Sequence, residues 1–430
     1  MSEILEVGDK VNTWLGGELT VKKYLAEGGQ GRVYLVDYKG ENKALKWYKN
    51  IGFGEGFKNN IRENIKRGAP SDAFLWPMDI AEAPDGTFGY VMDLKPDDYY
   101  ELTQFMLCNV NFDSYRTVID AALKIVSAFR ILHNRGYSYQ DLNDGNFFIN
   151  PTNGKVLICD NDNVAPDGTP TGIIGKPRYM APEIVLGKNM PDSLSDRFSM
   201  SIILYLLFCR NHPLEGKRYL VPALTPALQE KLYGSDPLFM WDKSDRSNGP
   251  HKIVHRNSLA VWPVLPDYVQ NIFLEAFSKK ALSKPSARPP EIKWLQVLTR
   301  FRSDIVKCSC GNEIFTQHAE PKECEICGKK PAIPFKLVLG NYDIPAIRDT
   351  RIYRCQLGVC DETEALSPIA RVLKKKNADA FGLQNVSGKQ WRALTSKGVP
   401  KKVAPDEIIP LKDGIKFTVA DQTVEIRENK

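Results

Sequence analysis

From residue 19 to residue 48 apolar and polar positions alternate with the period of strands, and the alternation breaks at Gly28 to Gly31, where a turn is expected. Around Asn59 to Arg67 the spacing becomes helical, and strand-like stretches then lead to Phe88-Gly89-Tyr90-Val91-Met92. From Tyr115 to His133 apolar residues recur at three and four, which predicts an amphipathic helix. A loop with short strands is expected from Gly136 to Val164, and further helices to about Phe301. The apolar run Met200 to Cys209 is broken by Ser201 and has about half the ~20 residues of a membrane span, so it reads as a buried core helix.

The pattern then changes. Residues 303 to 335 are rich in Cys, Lys and Pro and poor in large apolar groups, so this stretch builds little core unaided. From about Lys336 short alternating runs recur between Gly, Asp, Asn and Pro, among them Ile369 to Leu373, Phe381 to Leu383, Gln390 to Leu394 and Ile415 to Val419. That spacing predicts an all-β sandwich. At 430 residues the chain exceeds a single core. Three parts are therefore expected: 1–302, mixed helix and sheet; 303–335, small and cysteine-rich; and 336–430, all β.

Composition adds limits. A hydrophobic fraction of 43% and a charged fraction of 26% are those of a soluble globular protein. The net charge of +6 is spread out, and Lys374 to Lys376 is too short a run to argue for nucleic acid. MSEILEVGDKV lacks a basic and an apolar segment, so neither a secretory signal nor a membrane anchor is expected. Of nine cysteines, Cys108, Cys159 and Cys209 sit singly in apolar segments, as small hydrophobes do. Cys308-Ser309-Cys310-Gly311 and Cys324-Glu325-Ile326-Cys327-Gly328 form two close pairs separated by 13 residues. Four thiolates suit tetrahedral Zn²⁺, the glycines permit the tight turns of a zinc ribbon, and four protein ligands point to a structural ion. His318 fits neither pair, and Cys355 and Cys360 read as residues of the β part. Metal rather than disulfide chemistry implies a reducing, cytoplasmic setting.

The candidate chemistry lies in 1–302. Leu25-Ala26-Glu27-Gly28-Gly29-Gln30-Gly31-Arg32-Val33-Tyr34 is a glycine-rich turn whose bare backbone amides suit phosphates, although a plain hairpin explains it as well. Ala44-Leu45-Lys46 follows, and seventeen residues on Glu63 stands in the helical IRENIK. Then come Val91-Met92-Asp93-Leu94, the loop Tyr137 to Asn146 with Asp141 and Asn146, and Val156 to Asp162 with Asp160. Gly175 to Glu183, ending Ala181-Pro182-Glu183, precedes Ser195-Asp196-Arg197-Phe198-Ser199 and Ala287-Arg288-Pro289. In this order the segments resemble the landmarks of the protein-kinase family. The resemblance implies an α+β, bilobal protein-kinase fold, with a small lobe of about 1–93 and a helical lobe of about 94–302. It implies ATP with Mg²⁺ (or Mn²⁺) between them.

Residue by residue, Gly28, Gly29 and Gly31 would let the backbone approach the phosphates, Lys46 would pair with them, and Val33 and Ala44 would also contact the nucleotide. Glu63 would pair with Lys46, Glu55 being a rival in a stretch less helical by its glycines. Met92, Asp93 and Leu94 would form the hinge, with Met92 as gatekeeper. Asp141 would take or orient the acceptor proton, while Asn146 and Asp160 would bind the metal. Asp196 would tie down the catalytic loop, and Arg288 would pair with Glu183.

The sequence also departs from the family. Gln140 stands where an arginine usually answers an activation-segment phosphate, which predicts activity independent of such phosphorylation. Asn143 replaces a lysine and Lys176 a threonine, so Lys176 is expected to restore the charge beside the γ-phosphate. Asn161 and Asp162 replace Phe and Gly after Asp160. Ser367-Pro368-Ile369-Ala370-Arg371-Val372 and Phe381 to Ser387 weakly resemble a forkhead-associated domain, with Ile369 at the usual histidine and Arg354 as a candidate phosphate ligand. The whole resembles bacterial serine/threonine kinases encoded beside von Willebrand A-type proteins and metal-dependent phosphatases in tellurite-resistance stress systems. That implies such proteins as substrate and partner. The alternative is a nucleotide-binding pseudokinase scaffold, favoured by Ala26, Gln140, Asn143 and Asn161 and opposed by Lys46, Asp141, Asn146 and Asp160.

Overall fold

The computed structural model describes residues 4–49, 54–172, 175–358, 365–376, 380–419 and 421–429. The chain forms two compact units, one of residues 1–112, 131–264 and 273–288, the other of 113–130, 265–272 and 289–430.

The first unit begins with six antiparallel strands: β1 (Lys10–Thr13), β2 (Glu18–Glu27), β3 (Gly31–Tyr38), β4 (Glu41–Tyr48), β5 (Asp79–Glu82) and β6 (Phe88–Asp93). They close in the order β1-β2-β3-β4-β6-β5, so the small sheet has no free edge. Alternation assigns the two faces. Leu45 and Trp47 of β4 join Leu19, Val21, Tyr34, Val36 and Val91 inside the barrel. Ala44 and Tyr48 point the other way, with Tyr90 and Met92, against Phe57 and Ile61 of the helix α1 (Glu55–Arg67). Lys46 shares the parity of Ala44 and Tyr48, so the pleat directs it to the same outer face.

The turn between β2 and β3 is the predicted one, closed by Gly28 N–H donating to the Gly31 carbonyl at 2.8 Å. A Cβ on Gly31 would collide with the Trp47 carbonyl, whereas Gly29 has open space around it. Strand packing thus accounts for Gly31 without any ligand. Helix α1 starts earlier than its periodicity suggests, at Glu55, and ends where Gly68 takes φ 73°.

The helix Ser193–Cys209 carries the apolar run and is buried along almost its whole length. Asp192 and Ser195 cap it reciprocally, and Tyr205 packs edge-on against Phe239 and Phe273. Among the described residues no helix is long and apolar enough to cross a membrane.

The second unit contains the helix Glu291–Asp304 and the hairpin Ile305–Lys307/Glu313–Phe315. A six-stranded and a four-stranded antiparallel sheet follow. Leu337, Trp391, Phe417 and Ile426 from the first, with Ile352, Val372 and Leu383 from the second, share one core. The all-β C-terminal part predicted by alternation is therefore present. Cys360 lies outside the described residues.

Candidate active site

Lys46 is buried, and its Nζ lies 3.0 Å from Asp160 Oδ1, 3.0 Å from Asp162 Oδ2 and 3.2 Å from Gln30 Oε1. Asp162 has no exposed side-chain surface, and the hydroxyls of Tyr48 and Tyr90 also donate to it. Asp160 differs: 35% of its side chain is exposed, and its backbone is left-handed at φ 55°. A non-glycine residue holds such a conformation only where its surroundings fix it. Here Asn161 does so, donating from its buried amide to the carbonyls of Leu75 and Ile158, each at 2.8 Å.

The expected Lys46–Glu63 pair does not form. Glu63 instead bonds Lys66 at 2.8 Å, on the exposed side of α1. The stripe of α1 that packs inward carries Phe57, Ile61 and Asn64, and at 3.6 residues per turn Glu63 falls roughly 120° away from Phe57. Glu55, helical after all, pairs with Arg62 at 2.6 Å. Of the polar residues that α1 turns inward, Lys58 pairs with Glu82, and the two that reach the segment after Asp160 are carboxamides. Asn60 and Asn64 each donate to the Val164 carbonyl at 2.8 Å, and Asn60 also to that of Asp162 at 3.3 Å.

The catalytic-loop segment is templated through its backbone. The buried Asp196 carboxylate accepts from Tyr139 N–H at 2.6 Å and Gln140 N–H at 3.0 Å, and meets His133 at 3.1 Å. Gln140 is held at φ 72°. Its side-chain amide donates to the Thr169 carbonyl at 2.8 Å and accepts from Thr171 Oγ1 at 3.1 Å. A neutral pair of bonds thus ties loop to segment where the family relies on charge. Arg288 grips Glu183 with two bonds of 2.7 and 2.6 Å, as expected from the sequence.

Asp141 follows. Asn146 Nδ2 donates to the Asp141 carbonyl at 2.8 Å, and Asn143 Nδ2 to the same carbonyl at 3.2 Å. Lys176 Nζ donates to Asn143 Oδ1 at 2.9 Å, so the two residues exchanged relative to the family are in contact. Gly175 has φ 85°, which favours glycine, and a Cβ there would sit 3.3 Å from Asp141 Oδ1, a tight approach that the carboxylate would have to yield to. Burial, then the charge of Asp160, pushes the Asp141 carboxyl up to about 6, with Lys176 and Asn143 working against the rise. An acid in that range is ionised at neutral pH yet basic enough to take a proton.

The nucleotide-side residues fall as follows. Val33 opposes Lys46 and Ala44 opposes Met92 in register, Met92 being buried. Asp93 pairs with Lys43 at 2.9 Å, and Leu94 is partly exposed. For a divalent cation, Asn146 has its amide nitrogen committed to Tyr139 Oη and the Asp141 carbonyl, and among the described residues its oxygen has no hydrogen-bond donor. That oxygen and the partly exposed Asp160 carboxylate are hard donors of the type Mg²⁺ takes.

The four cysteines also come together. The sulfurs of Cys308, Cys310, Cys324 and Cys327 all lie within 4.8 Å of one another, with Cys308–Cys327 and Cys310–Cys324 at 3.6 Å. Bonds of about 2.3 Å to a tetrahedral Zn²⁺ would space sulfurs about 3.8 Å apart, so the cluster fits such an ion. Gly311 and Gly328 after each pair have positive φ, and the backbone N–H of Cys327 helps to hold the Cys324 thiol down at about 6.

Comparison with known proteins agrees with the loop chemistry. Residues 19–230 match the family model for the protein kinase domain. The chain is 26% identical over 200 residues to a probable cAMP-dependent protein kinase catalytic subunit of Encephalitozoon cuniculi, covering 44% of this chain and 60% of that protein. It is 25% identical over 206 residues to protein kinase C delta type of Mus musculus, covering 46% and 30%. It is 24% identical over 246 residues to the serine/threonine-protein kinase Nek11 of Macaca fascicularis, covering 51% and 37%. Residues 19–230 are thus similar to a protein kinase domain, and the relatives that match this chain include a serine/threonine-protein kinase. The matches span between 30% and 60% of those three relatives' own lengths.

Proposed function

We propose that this chain transfers the γ-phosphoryl group of ATP to a serine or threonine hydroxyl of a protein, in a bacterial stress-signalling system. Asp141 carries the proposal, as a carboxylate near pKa 6 beside the Lys176–Asn143 contact. It accepts or orients the proton of the acceptor hydroxyl. Lys46 meets the phosphates from the barrel side, and the amide of Gly29 approaches them from the turn, that of Gly28 being held by the Gly31 carbonyl. Lys176 supplies positive charge where negative charge grows on the transferred group. Magnesium or manganese, bound by Asp160 and Asn146, would neutralise the triphosphate.

The remaining parts serve docking. A zinc ion on the four cysteines stiffens residues 303–335. The β part, 336–430, is a forkhead-associated-like sandwich that holds a partner, with 1–302 as the kinase domain. The resemblance nominates a von Willebrand A-type protein and a metal-dependent phosphatase as substrate and partner. Radiolabelled ATP, incubated with the full chain and those candidates beside Asp141→Asn and Asp160→Asn, is the test. Label transferred by the wild type alone supports the enzyme. Nucleotide binding without transfer under every condition would establish the scaffold instead.

A further inference from the structure

We propose that Asp162, and not a glutamate of α1, is the residue that positions Lys46, so that this lysine is held by the segment following Asp160 rather than by the helix. The proposal rests on the phosphotransfer function above and adds a positioning residue to it. Among the described residues Lys46 pairs with two carboxylates only, Asp160 and Asp162. These two are not equivalent. Asp160 is partly exposed and offers its oxygens to a cation, which would draw its charge away from the lysine. Asp162 is fully enclosed, contacts Lys46 through both oxygens at 3.2 and 3.0 Å, and is braced by Tyr48 and Tyr90. It remains with Lys46 when the cation binds.

Helix α1 has a different task. Its acids face Lys66 and Arg62, while Asn60 and Asn64 clasp the carbonyls of Asp162 and Val164. The helix therefore supports the backbone that carries the counter-ion and, among the described residues, gives Lys46 no counter-charge. An outward movement of α1 would break amide bonds to that backbone and leave the Lys46–Asp162 pair whole. In a kinase whose lysine is paired by the helix, the same movement would separate the charges. Control by swinging this helix is thus weakened at its origin.

A double-mutant cycle on the full chain tests the assignment without relying on turnover. In urea unfolding, Lys46→Met and Asp162→Asn should couple by at least about tenfold in the unfolding constant, whereas Lys46→Met and Glu63→Gln should be additive within about twofold. In turnover, Asp162→Asn should lower kcat by roughly 50-fold or more with KM for ATP changed less than about fivefold, and Glu63→Gln should leave both within about twofold. Moving the charge to the helix, with Asp162→Gly plus Asn60→Glu, should recover about tenfold over Asp162→Gly alone. If Asp162→Asn folds only when Lys46→Met accompanies it, coupling is demonstrated in its strongest form. Additive Lys46 and Asp162 effects, coupling of Lys46 to Glu63, or failure of the double variant to fold would each overturn the assignment. A wild type that binds ATP but transfers nothing would defeat the kinase proposal while the unfolding cycle still decides this one.

Discussion

The two polar clusters of the cleft are built on different principles. Around Asp141 the family's arrangement is kept by contacts to main chain. Asp196 holds two successive amides of the loop, and Asn146 holds the Asp141 carbonyl. Around Lys46 the anchoring is by side chains from separate elements, and here the partner has changed from the expected Glu63 to Asp162. Backbone templating leaves little freedom, because each loop residue is fixed by its neighbours. A charge pair across elements tolerates replacement provided some carboxylate arrives at the same point.

Substitutions sharpen that contrast. The largest effect should come from Asp141→Asn, with kcat reduced about 10³–10⁴-fold and an unchanged circular dichroism spectrum. A loss below tenfold would remove Asp141 from the chemistry. Lys176→Met comes next, with kcat down roughly 100-fold and KM for ATP nearly constant. Equal losses in binding and turnover would reduce Lys176 to a ligand contact.

The same variant carries a pH signature. In the proposed reaction Asp141 works as the carboxylate, so kcat/KM should rise with pH through about 6 and then level. Lys176 is among the groups that pull the Asp141 pKa down, so its removal should move this acid limb to higher pH. A limb that stays in place would separate the two residues.

Asp196→Ala should cost about tenfold in kcat and lower the melting temperature by several degrees, because two buried amides and His133 lose a charged acceptor. A variant with normal kcat would show that the loop holds its shape without this template. The smallest effect is expected of the Thr169→Ala/Thr171→Ala double variant, within about threefold. Thr169 contributes its carbonyl, which survives substitution, and the bond from the Thr171 hydroxyl to Gln140 is a neutral one. Activity abolished in that variant would restore a requirement for phosphate on the segment.

Much of this site is legible in the sequence because its parts are contiguous. The segments around Asp141 and Asp160, and the one ending at Glu183, each announce themselves within about ten residues. Asp196 and Arg288 follow from the same pattern, and both make the contacts expected. Glu63 misled because its distance along the chain was right while its angle around α1 was not. The useful signal was Asn60 and Asn64, one turn apart on the side of Phe57 and Ile61, together with an acid at 162 where the family has glycine. The start of α1 at Glu55 was hidden by Gly54 and Gly56. In the C-terminal part, alternation marks the strands well, Ile369 to Leu373 falling within Pro368–Lys374. It says nothing of pairing: Phe335–Leu339 lies beside Gln422–Glu428, a match made across almost the whole module.

Gly31 has a consequence for descent. The Trp47 carbonyl forbids a side chain at this position whatever the cleft binds, while Gly29 meets no such obstacle. A lineage that abandoned nucleotides would be free to replace Gly29 at once and would still be compelled to keep Gly31. Drift at the turn, with its last glycine intact, would mark the descendants that had changed occupation without losing their architecture.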